Sequence, residues 1–418
     1  MFSKAPNLLR FQKWYFLLWI PVGLYYWRFQ AGGAGGMTLY PLAADCLLSG
    51  KPLLPCAEGF TYPPAFAFFM IPFAPLPVWL RNLVWYLLSV SLLYFSFRLC
   101  EELIVKAFHL RFDQNRLYWF RLLSLALGFK FILAVLENQS YDYLIFFFVL
   151  LGISGLAEEN DLLASIGIAV AAALKVTPLL FFPYLLFRKK WKVLISCAFL
   201  YLFISFLPDL FFSAAENRSG YFVRWVQEIV RPLISPQEGA SALRFWEGEN
   251  PLNQSLRSFV YRLAAESDLI PQFKTILYAV YLLFLFSLFF VVQKSSRLAS
   301  ASLLDGAALM IGMLMLSPMS SKSHFIVLIF PYMVILAYLM EREDRRGLLG
   351  PLLLVSFIFN SLTSKDLIGR RLSTFLLSMG CITIGTLLLF VMIGLIVFEM
   401  TGRREERSPV YSDLPELE

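Results

Sequence analysis

The sequence predicts an all-α membrane protein with about twelve membrane-spanning helices. Of its 418 residues, 59% are hydrophobic and only 16% are charged, whereas a soluble domain of this size would carry about a quarter charged residues. Apolar stretches of about 18 or more residues recur along the chain, and each is long enough to cross the hydrocarbon core of a bilayer. A transmembrane β-barrel would instead show alternating hydrophobicity in segments of about ten residues.

The net charge of +7 fits a membrane protein better than a nucleic-acid-binding protein. The basic residues form short clusters at the ends of apolar segments, as the positive-inside rule predicts. No basic stripe with interleaved aromatic residues is present, so binding of nucleic acid is not expected. The clusters are Arg188, Lys189, Lys190 and Lys192; Arg342, Arg345 and Arg346; and Arg403, Arg404 and Arg407.

Six apolar segments precede the basic cluster at residues 188–192, and a seventh follows it directly. They are predicted as spans at residues 12–30, 63–77, 79–99, 118–136, 141–157, 162–187 and 193–213. Lys4, Arg10 and Lys13 precede the apolar run from Tyr15 to Trp27 within the first span, and no small-residue cleavage site follows it. We therefore expect a retained first span with a cytoplasmic N-terminus.

Residues 31–62 form a predicted outside loop between the first two spans. A short amphipathic helix, Met37 to Ser49, precedes a connector broken by Gly and Pro, and the next apolar segment begins at Pro63 and Pro64. A structured segment of this kind is typical of the roof of a site at the membrane surface. Cys46 and Cys56 both lie in this loop, and their spacing alone does not decide whether they form a disulfide bond.

Two arrangements of residues 63–187 are compatible with the sequence. In the first, 63–77 and 162–187 each cross the membrane, which places the basic stretch 101–116 outside, against the positive-inside rule. In the second, 63–77 only dips into the outer leaflet and 162–187 is a hairpin bent at Lys175 to Pro178. The second arrangement moves 101–116 inside and 137–140 outside, but its two hairpin arms are short for a bilayer.

The second half of the chain begins with another large outside loop, residues 214–268. Spans are predicted at 272–293, 302–316, 324–340, 348–362 and 374–399. Residues 1–400 thus form one transmembrane domain, and the charged tail 401–418 is predicted to be disordered and cytoplasmic.

A few polar residues near or within the apolar segments are candidates for chemistry, because buried ionisable groups in membranes are commonly functional. Lys175 lies in the middle of an apolar segment, where its alternative role is an ion pair within the bundle. Lys322 and His324 flank the start of a predicted helix, an arrangement suited to an anion such as phosphate. Arg257 could make a bidentate contact with phosphate, or these basic residues could simply meet lipid head groups.

Several segments in order resemble the polyprenol-phosphate-dependent glycosyltransferases of family 87, which have the GT-C membrane architecture. The resemblance covers about residues 36–340. The segments are Leu39 to Pro64, similar to the first-loop motif with its Tyr and Tyr-Pro-Pro; Glu137 to Tyr141, similar to Gly-Gln-x-Asn; residues 166–191, similar to Ala-Ala-x-Lys-x-x-Pro; Asn253 to Arg257, similar to Asn-Gln-Ser-Leu; and Ser317 to His324, similar to Ser-Pro-x-Ser-x-x-x-His.

The resemblance implies transfer of a sugar, commonly mannose, from a polyprenyl phosphate on the non-cytoplasmic face. Cations would stabilise the leaving phosphate, and a carboxylate would accept the proton of the acceptor hydroxyl in an inverting displacement. The expected phosphate-binding residues are Lys175, Arg257, Lys322 and His324, and the expected substrate pocket contains Tyr40, Tyr62, Gln139, Asn253 and Gln254. No metal site and no cofactor are expected.

The sequence departs from the family at the expected base. The family places an acid four positions before the motif tyrosine, here Tyr40, but that position is Gly36. Asp45 and Glu58 are the nearest acids and are therefore the predicted catalytic residues. The predicted protein is a multi-pass glycosyltransferase of the bacterial inner membrane with both termini cytoplasmic and a lipid or glycan acceptor. The alternative is a non-catalytic relative that binds a lipid-linked glycan in an export or assembly complex.

Overall fold

The computed structural model describes residues 19–24, 26, 35–212, 219–234, 247–342, 344, 346–361 and 363–406. Most of the predicted first span and the tail from residue 407 onwards lie outside these ranges. The described part of the chain is 81% helical and contains no strand. The predicted fold class, an all-α polytopic membrane protein with short helices in its first loop, is confirmed.

The described helices are numbered here in chain order. They are α1 (Gly36–Leu48), α2 (Leu53–Cys56), α3 (Pro64–Phe69), α4 (Val78–Phe108), α5 (Gln114–Glu137), α6 (Asp142–Ala157), α7 (Asp161–Leu174), α8 (Phe181–Phe187), α9 (Trp191–Phe211), α10 (Tyr221–Trp225), α11 (Arg231–Ile234), α12 (Leu256–Glu266), α13 (Phe273–Ser295), α14 (Ala301–Met315), α15 (Ile329–Glu341), α16 (Arg346–Ser361), α17 (Lys365–Ile368), α18 (Arg370–Ser378) and α19 (Cys381–Glu406).

Six helices of the described chain are long and apolar enough to cross a membrane: α4, α5, α9, α13, α15 and α19, with α13 and α15 each extended by a preceding 3-10 turn. Burial separates them into inner and outer helices. The apolar part of Lys322–Glu341, which contains α15, is 89% buried, whereas only 28% is buried in α9 and in Ile270–Ser295. Exposed apolar side chains such as Phe199 and Leu283 therefore form the face suited to lipid.

The bundle has two ends that can be told apart by contacts between loops. At the first-loop end (residues 36–77), the Gly36 N–H donates to the Asn138 carbonyl at 3.0 Å, so the C-terminal end of α5 lies there. At the opposite end (residues 109–113, 158–160 and 188–190), Lys106 pairs with Glu158 at 2.5 Å. The stretch 101–116 therefore lies at the same end as the turn between α6 and α7.

Residues 161–187 form a hairpin and do not cross as one straight helix. The α7 helix ends at Leu174, and Lys175 has an extended backbone with φ −150° and ψ 132°. A 3-10 turn at Thr177–Leu180 then leads into α8. Lys175 pairs with Asp142 at the first-loop end, while Arg188 pairs with Asp305 at the opposite end. The second of the two predicted arrangements is the one found.

Residues 63–77 also follow the second arrangement. The α3 helix has only six residues and is followed by a 3-10 turn at Ile71–Phe73. The Phe66 ring lies 4.2 Å from Tyr141, and the Phe73 ring lies 5.8 Å from Trp85. Both contacts are at the first-loop end, so of the two arrangements that the sequence left open for 63–77, the crossing span is not the one found. The five prolines of this segment, at positions 63, 64, 72, 75 and 77, leave no continuous helix long enough to cross.

Helices α6 and α7 pack closely because small residues line their contact. A Cβ atom on Gly167 would lie only 2.3 Å from the Gly152 nitrogen, and one on Gly155 would lie 2.2 Å from the Ala164 nitrogen. Small residues of this kind let membrane helices approach backbone to backbone. The α6–α7 pair consequently holds Asp142 and Lys175 side by side at the first-loop end.

Candidate active site

Gln139 fastens the first loop to the bundle. Its side-chain oxygen accepts a hydrogen bond from the Met37 N–H at 3.0 Å, and its side-chain nitrogen donates to Asn82 at 3.2 Å. Its backbone carbonyl accepts a hydrogen bond from the Trp85 indole at 3.1 Å. Gln139 is 3% exposed and has a left-handed backbone with φ 50°. It therefore joins α1, α4 and the turn before α6, and its predicted contact with substrate stays a prediction.

Aromatic rings pack between the first loop and the start of α6. The Tyr62 and Tyr141 rings are 5.0 Å apart, and the Tyr40 and Phe66 rings are 4.8 Å apart, both nearly perpendicular. Edge-to-face packing of this kind is the favoured geometry for aromatic pairs. Burial raises the pKa of Tyr62 to about 12, so the phenol stays protonated at neutral pH. The two predicted pocket tyrosines, Tyr40 and Tyr62, thus lie together beside Tyr141.

A disulfide closes the first loop. Cys46 on α1 is bonded to Cys56 on α2, with their Cα atoms 6.0 Å apart. The spacing of ten residues had left this bond open, and the helical turn between them brings the two side chains together. The disulfide holds the connector that carries Tyr62 against α1.

A buried ion pair lies next to this aromatic group. The Lys175 ammonium group donates to an Asp142 carboxylate oxygen at 2.6 Å, and Ser140 donates its hydroxyl to the other oxygen. The Asp142 side chain is 3% exposed and that of Lys175 is 13% exposed. The Lys175 ammonium also lies 5.7 Å from the centre of the Tyr141 ring, within the range of a cation–π contact.

A cavity of about 260 Å³ lies beside the ion pair. His324 lines it from the 3-10 turn that leads into α15, and its Nδ1 atom accepts a hydrogen bond from the Ser321 N–H at 3.4 Å. His324 is also within electrostatic range of both Lys175 and Asp142. The polar residues around the cavity are Asp142, Lys175, Thr177, Ser317, Ser320 and His324. An acid, two potential cations and three hydroxyl groups therefore share one small space.

Asn253 and Gln254 hold the loop that lines this cavity. The Asn253 side-chain oxygen accepts a hydrogen bond from the Ser320 N–H at 3.1 Å, and its nitrogen donates to the Pro318 carbonyl at 3.1 Å. The Gln254 N–H donates to the Ser320 carbonyl at 2.8 Å. Both side chains are at most 1% exposed. They position Ser317 and Ser320, and their predicted contact with substrate stays a prediction.

Arg262 stabilises the same region from α12. It donates to the Ser378 carbonyl at 2.7 Å, to the Asn253 carbonyl at 3.0 Å and to the Ser258 hydroxyl at 2.6 Å. Burial lowers the pKa of Arg262 to about 10, which still leaves it charged at neutral pH. A charged, multiply bonded arginine fixes the backbone that carries Asn253.

A comparison of the sequence with models of protein families identifies the family of this chain. The chain matches the model of glycosyltransferase family 87 over residues 60–320, more than half of its length. The chain belongs to glycosyltransferase family 87. No curated protein and no solved structure matches it. With its membrane-spanning helices, it is a membrane glycosyltransferase, and the predicted resemblance is confirmed.

A side chain at Gly36, where the family motif has an acid, would meet close neighbours in this structure. A Cβ atom there would lie 2.4 Å from the Tyr40 ring and 2.6 Å from the Gln139 carbonyl oxygen. These distances are shorter than any ordinary contact, so a larger side chain would displace the ring or the turn. The space in which the family motif has an acid is filled here by Tyr40 and Gln139.

The predicted acids lie away from the cavity. Asp45 is exposed, on the face of α1 opposite the buried Tyr40, Ala44 and Leu47. Glu58 is exposed in the connector that follows α2. Neither residue lines the cavity beside the Lys175–Asp142 pair.

The four predicted phosphate-binding residues separate into two groups. Lys175 and His324 line the cavity together. Lys322, by contrast, has Lys130, Lys365, Glu137 and Asp366 as its charged neighbours, which places it towards α5 and α17. Arg257 lies within electrostatic range of Tyr281 on α13. Contact of these two residues with phosphate stays a prediction.

Asp142 is the charged cavity residue that sequence reasoning missed. It is the first residue of an apolar helix and directly follows the family-like segment Glu137 to Tyr141. The signal was present, because a lysine inside an apolar segment such as Lys175 needs an acidic partner. Among the described residues, no group of three or more His, Cys, Asp and Glu side chains comes together as a metal site.

Proposed function

We propose that this membrane glycosyltransferase moves a mannosyl group from a polyprenyl phosphate to a lipid or glycan acceptor at the first-loop end. The observation that supports it is the cavity in which Lys175 and His324 lie beside Asp142. An ammonium group and an imidazole N–H at one cavity suit a leaving phosphate, and the adjacent carboxylate suits an acceptor hydroxyl.

The proposed reaction is a single inverting displacement. The acceptor hydroxyl oxygen attacks the anomeric carbon as the bond from that carbon to the phosphate oxygen breaks. Asp142 takes the hydroxyl proton, Lys175 stabilises the charge on the departing polyprenyl phosphate, and the Nε2–H of neutral His324 donates a hydrogen bond to it. Asp142 is the acid that fits this step, because it lines the cavity whereas Asp45 and Glu58 are exposed.

The first-loop end is proposed to face away from the cytoplasm of a bacterium. The disulfide in the first loop fits an oxidising compartment. The basic residues Arg188, Lys189, Lys190 and Lys192 follow α8 at the opposite end, as expected of a cytoplasmic face. This orientation gives the donor lipid and the acceptor access to the cavity from the outer leaflet, with both termini in the cytoplasm.

The test of the proposed reaction uses the purified full chain in lipid nanodiscs. Polyprenyl-phosphate mannose is expected to be transferred or hydrolysed with release of polyprenyl phosphate, and a chelator is expected to leave the rate unchanged. Polyprenyl-phosphate glucose and UDP-mannose serve as comparison donors. Turnover of UDP-mannose alone would overturn the proposed donor class.

The choice of acid is tested by isosteric variants. Asp142→Asn is expected to lower transfer by roughly 10²- to 10⁴-fold, the usual contribution of a general base. Asp45→Asn and Glu58→Gln, the acids predicted from sequence, are the matched comparison and should retain most activity. Full activity in Asp142→Asn together with a large loss in either of the other two variants would return the base to the first loop.

The second candidate is a non-catalytic relative that binds a lipid-linked glycan. Its support is the filled space at Gly36, where the family motif has an acid. The two candidates differ in one measurement, because a binding protein would retain polyprenyl-phosphate mannose in the nanodisc without releasing polyprenyl phosphate. Slow hydrolysis that disappears in Asp142→Asn would favour the enzyme.

A further inference from the structure

A second cavity lies between the first loop and residues 219–234. It holds about 290 Å³ of space, part of which is open to solvent. Its walls combine four aromatic and three aliphatic side chains with one ion pair. The residues that matter for its chemistry are Phe60, Tyr62, Tyr221, Arg224, Trp225 and Glu228. None of the predicted phosphate-binding residues lines it.

Tyr221 brings an unused hydroxyl group to this cavity. The residue is only 2% exposed, yet its hydroxyl oxygen has no hydrogen-bond partner among the described residues. A buried hydroxyl without a partner is unfavourable, and such groups in folded proteins commonly mark a ligand site. The backbone around it is held firmly, since Asp209 accepts hydrogen bonds from the N–H groups of Tyr221 and Phe222.

The other residues that line the second cavity include the Trp225 ring and the charged pair Arg224 and Glu228. The Trp225 indole donates to the Thr61 carbonyl at 3.0 Å, which ties residues 219–234 to the first loop. Arg224 and Glu228 form an ion pair at 2.6 Å with side chains 19% and 30% exposed. The backbone there has a π-helical turn at Val226–Val230, a feature often found at functional sites.

This cavity is connected to the candidate active site through Tyr62. Tyr62 lines the second cavity, and its ring lies 5.0 Å from the Tyr141 ring. Tyr141 in turn lies 5.7 Å from the Lys175 ammonium group. A ligand in the second cavity would therefore be separated from Tyr141, the ring next to the Lys175–Asp142 pair, by the Tyr62 side chain.

We infer that the second cavity binds the glycan part of the acceptor, with a pyranose ring against Tyr62 and Trp225 and a sugar hydroxyl bonded to the Tyr221 hydroxyl. Arg224 and Glu228 supply further donors and acceptors at its rim. An acyl chain fits less well, because it would leave the Tyr221 hydroxyl unpaired. The role as acceptor site rests on the proposed function, whereas the binding of a sugar does not.

The experiment compares wild type with Tyr221→Phe, which removes only the hydroxyl. Binding of methyl α-D-mannopyranoside, methyl α-D-glucopyranoside and methyl α-D-galactopyranoside is measured by saturation-transfer NMR on the chain in nanodiscs. At least one glycoside is expected to bind wild type, and Tyr221→Phe should bind it roughly 2- to 10-fold more weakly, the effect of one net hydrogen bond.

The control is Tyr143→Phe, which removes a buried tyrosine hydroxyl that already donates to the Ile132 carbonyl at 2.8 Å. It should lower the melting temperature without changing glycoside binding, whereas Tyr221→Phe should not lower the melting temperature. Equal glycoside binding by wild type and Tyr221→Phe, or no binding of any glycoside to wild type, overturns the inference. Glycoside binding that depends on Tyr221 in a chain that never uses polyprenyl-phosphate mannose supports the site and rejects only the proposed donor.

Discussion

Two buried ion pairs hold the α7–α8 hairpin in place, one at its bend (Lys175) and one directly after α8 (Arg188). They differ in what surrounds them. At the opposite end, Arg188 donates to Asp305 and Ser295, and Ser295 donates to the second oxygen of Asp305. At the first-loop end, Lys175 donates to Asp142 beside a cavity of about 260 Å³. The first pair is enclosed by its own partners, and the second borders a cavity lined by His324 and hydroxyl groups.

Under the proposed function, this difference distinguishes a structural ion pair from a functional one with the same chemistry. A buried ion pair alone is weak evidence of function, because many such pairs only satisfy each other. Lys175 and Asp142 gain their significance from His324 and the hydroxyl groups on the same cavity. Substitutions at the two pairs should therefore affect different measurements.

The largest expected effect is a loss of stability when the Arg188–Asp305 pair, here called the closed pair, is broken. Arg188→Met leaves Asp305, which is 0% exposed, without its positive partner. Loss of one member of a buried pair usually destabilises a protein by about 3–5 kcal/mol. We expect a large fall in the melting temperature in detergent and in the yield of folded protein.

The double variant Arg188→Met with Asp305→Leu tests the reason for that loss. Because it removes both charges, it should recover most of the stability and should have near wild-type transfer activity. If the double variant is folded but inactive, the comparison fails, since the closed pair would then have a role beyond structure.

The next largest effect is a loss of activity when the Lys175–Asp142 pair, here called the open pair, is broken. Lys175→Met should lower transfer by at least roughly 10²-fold, the scale of one lost electrostatic contact to a developing charge. Lys175→Met combined with Asp142→Asn should regain stability but not transfer, in contrast to the double variant at Arg188. A folded Lys175→Met protein with wild-type transfer would remove Lys175 from the proposed reaction.

The smallest effect is expected where the family acid is restored. Gly36→Asp places a side chain against Tyr40 and the Gln139 carbonyl, and overpacking of this kind usually destabilises by about 1–3 kcal/mol. Transfer should fall or stay constant. A rise in transfer would show that the first-loop acid, and not Asp142, is the base that the site needs. Gly36→Ala is the matched control for the packing effect alone.

The sequence predicted the apolar helices, Lys175 and His324 because each has a local signal. A lysine between alanines and a proline, or a histidine at the start of a long apolar segment, stands out by itself. The class of protein and the family followed from such local features. The first-loop helix and the aromatic residues around Tyr40 were recognised for the same reason.

The remaining features depend on contacts between distant residues. Asp142 became visible only through its partner Lys175, which lies 33 positions further along the chain. The hairpin at Lys175 could not be separated from a straight span, because the deciding ion pairs join Lys106 to Glu158 and Arg188 to Asp305. The disulfide likewise depended on the turn that places the Cα atoms of Cys46 and Cys56 6.0 Å apart.

The deep burial of α15 has a consequence for how relatives of this protein can diverge. His324 is carried at the head of the segment Lys322–Glu341, whose apolar part is 89% buried, so its position changes only if the centre of the bundle repacks. The first loop is joined to the bundle through Gln139, and residues 219–234 are joined to the first loop through Trp225. If the acceptor binds there as inferred above, the acceptor site can change by remodelling these segments while the position of His324 is kept.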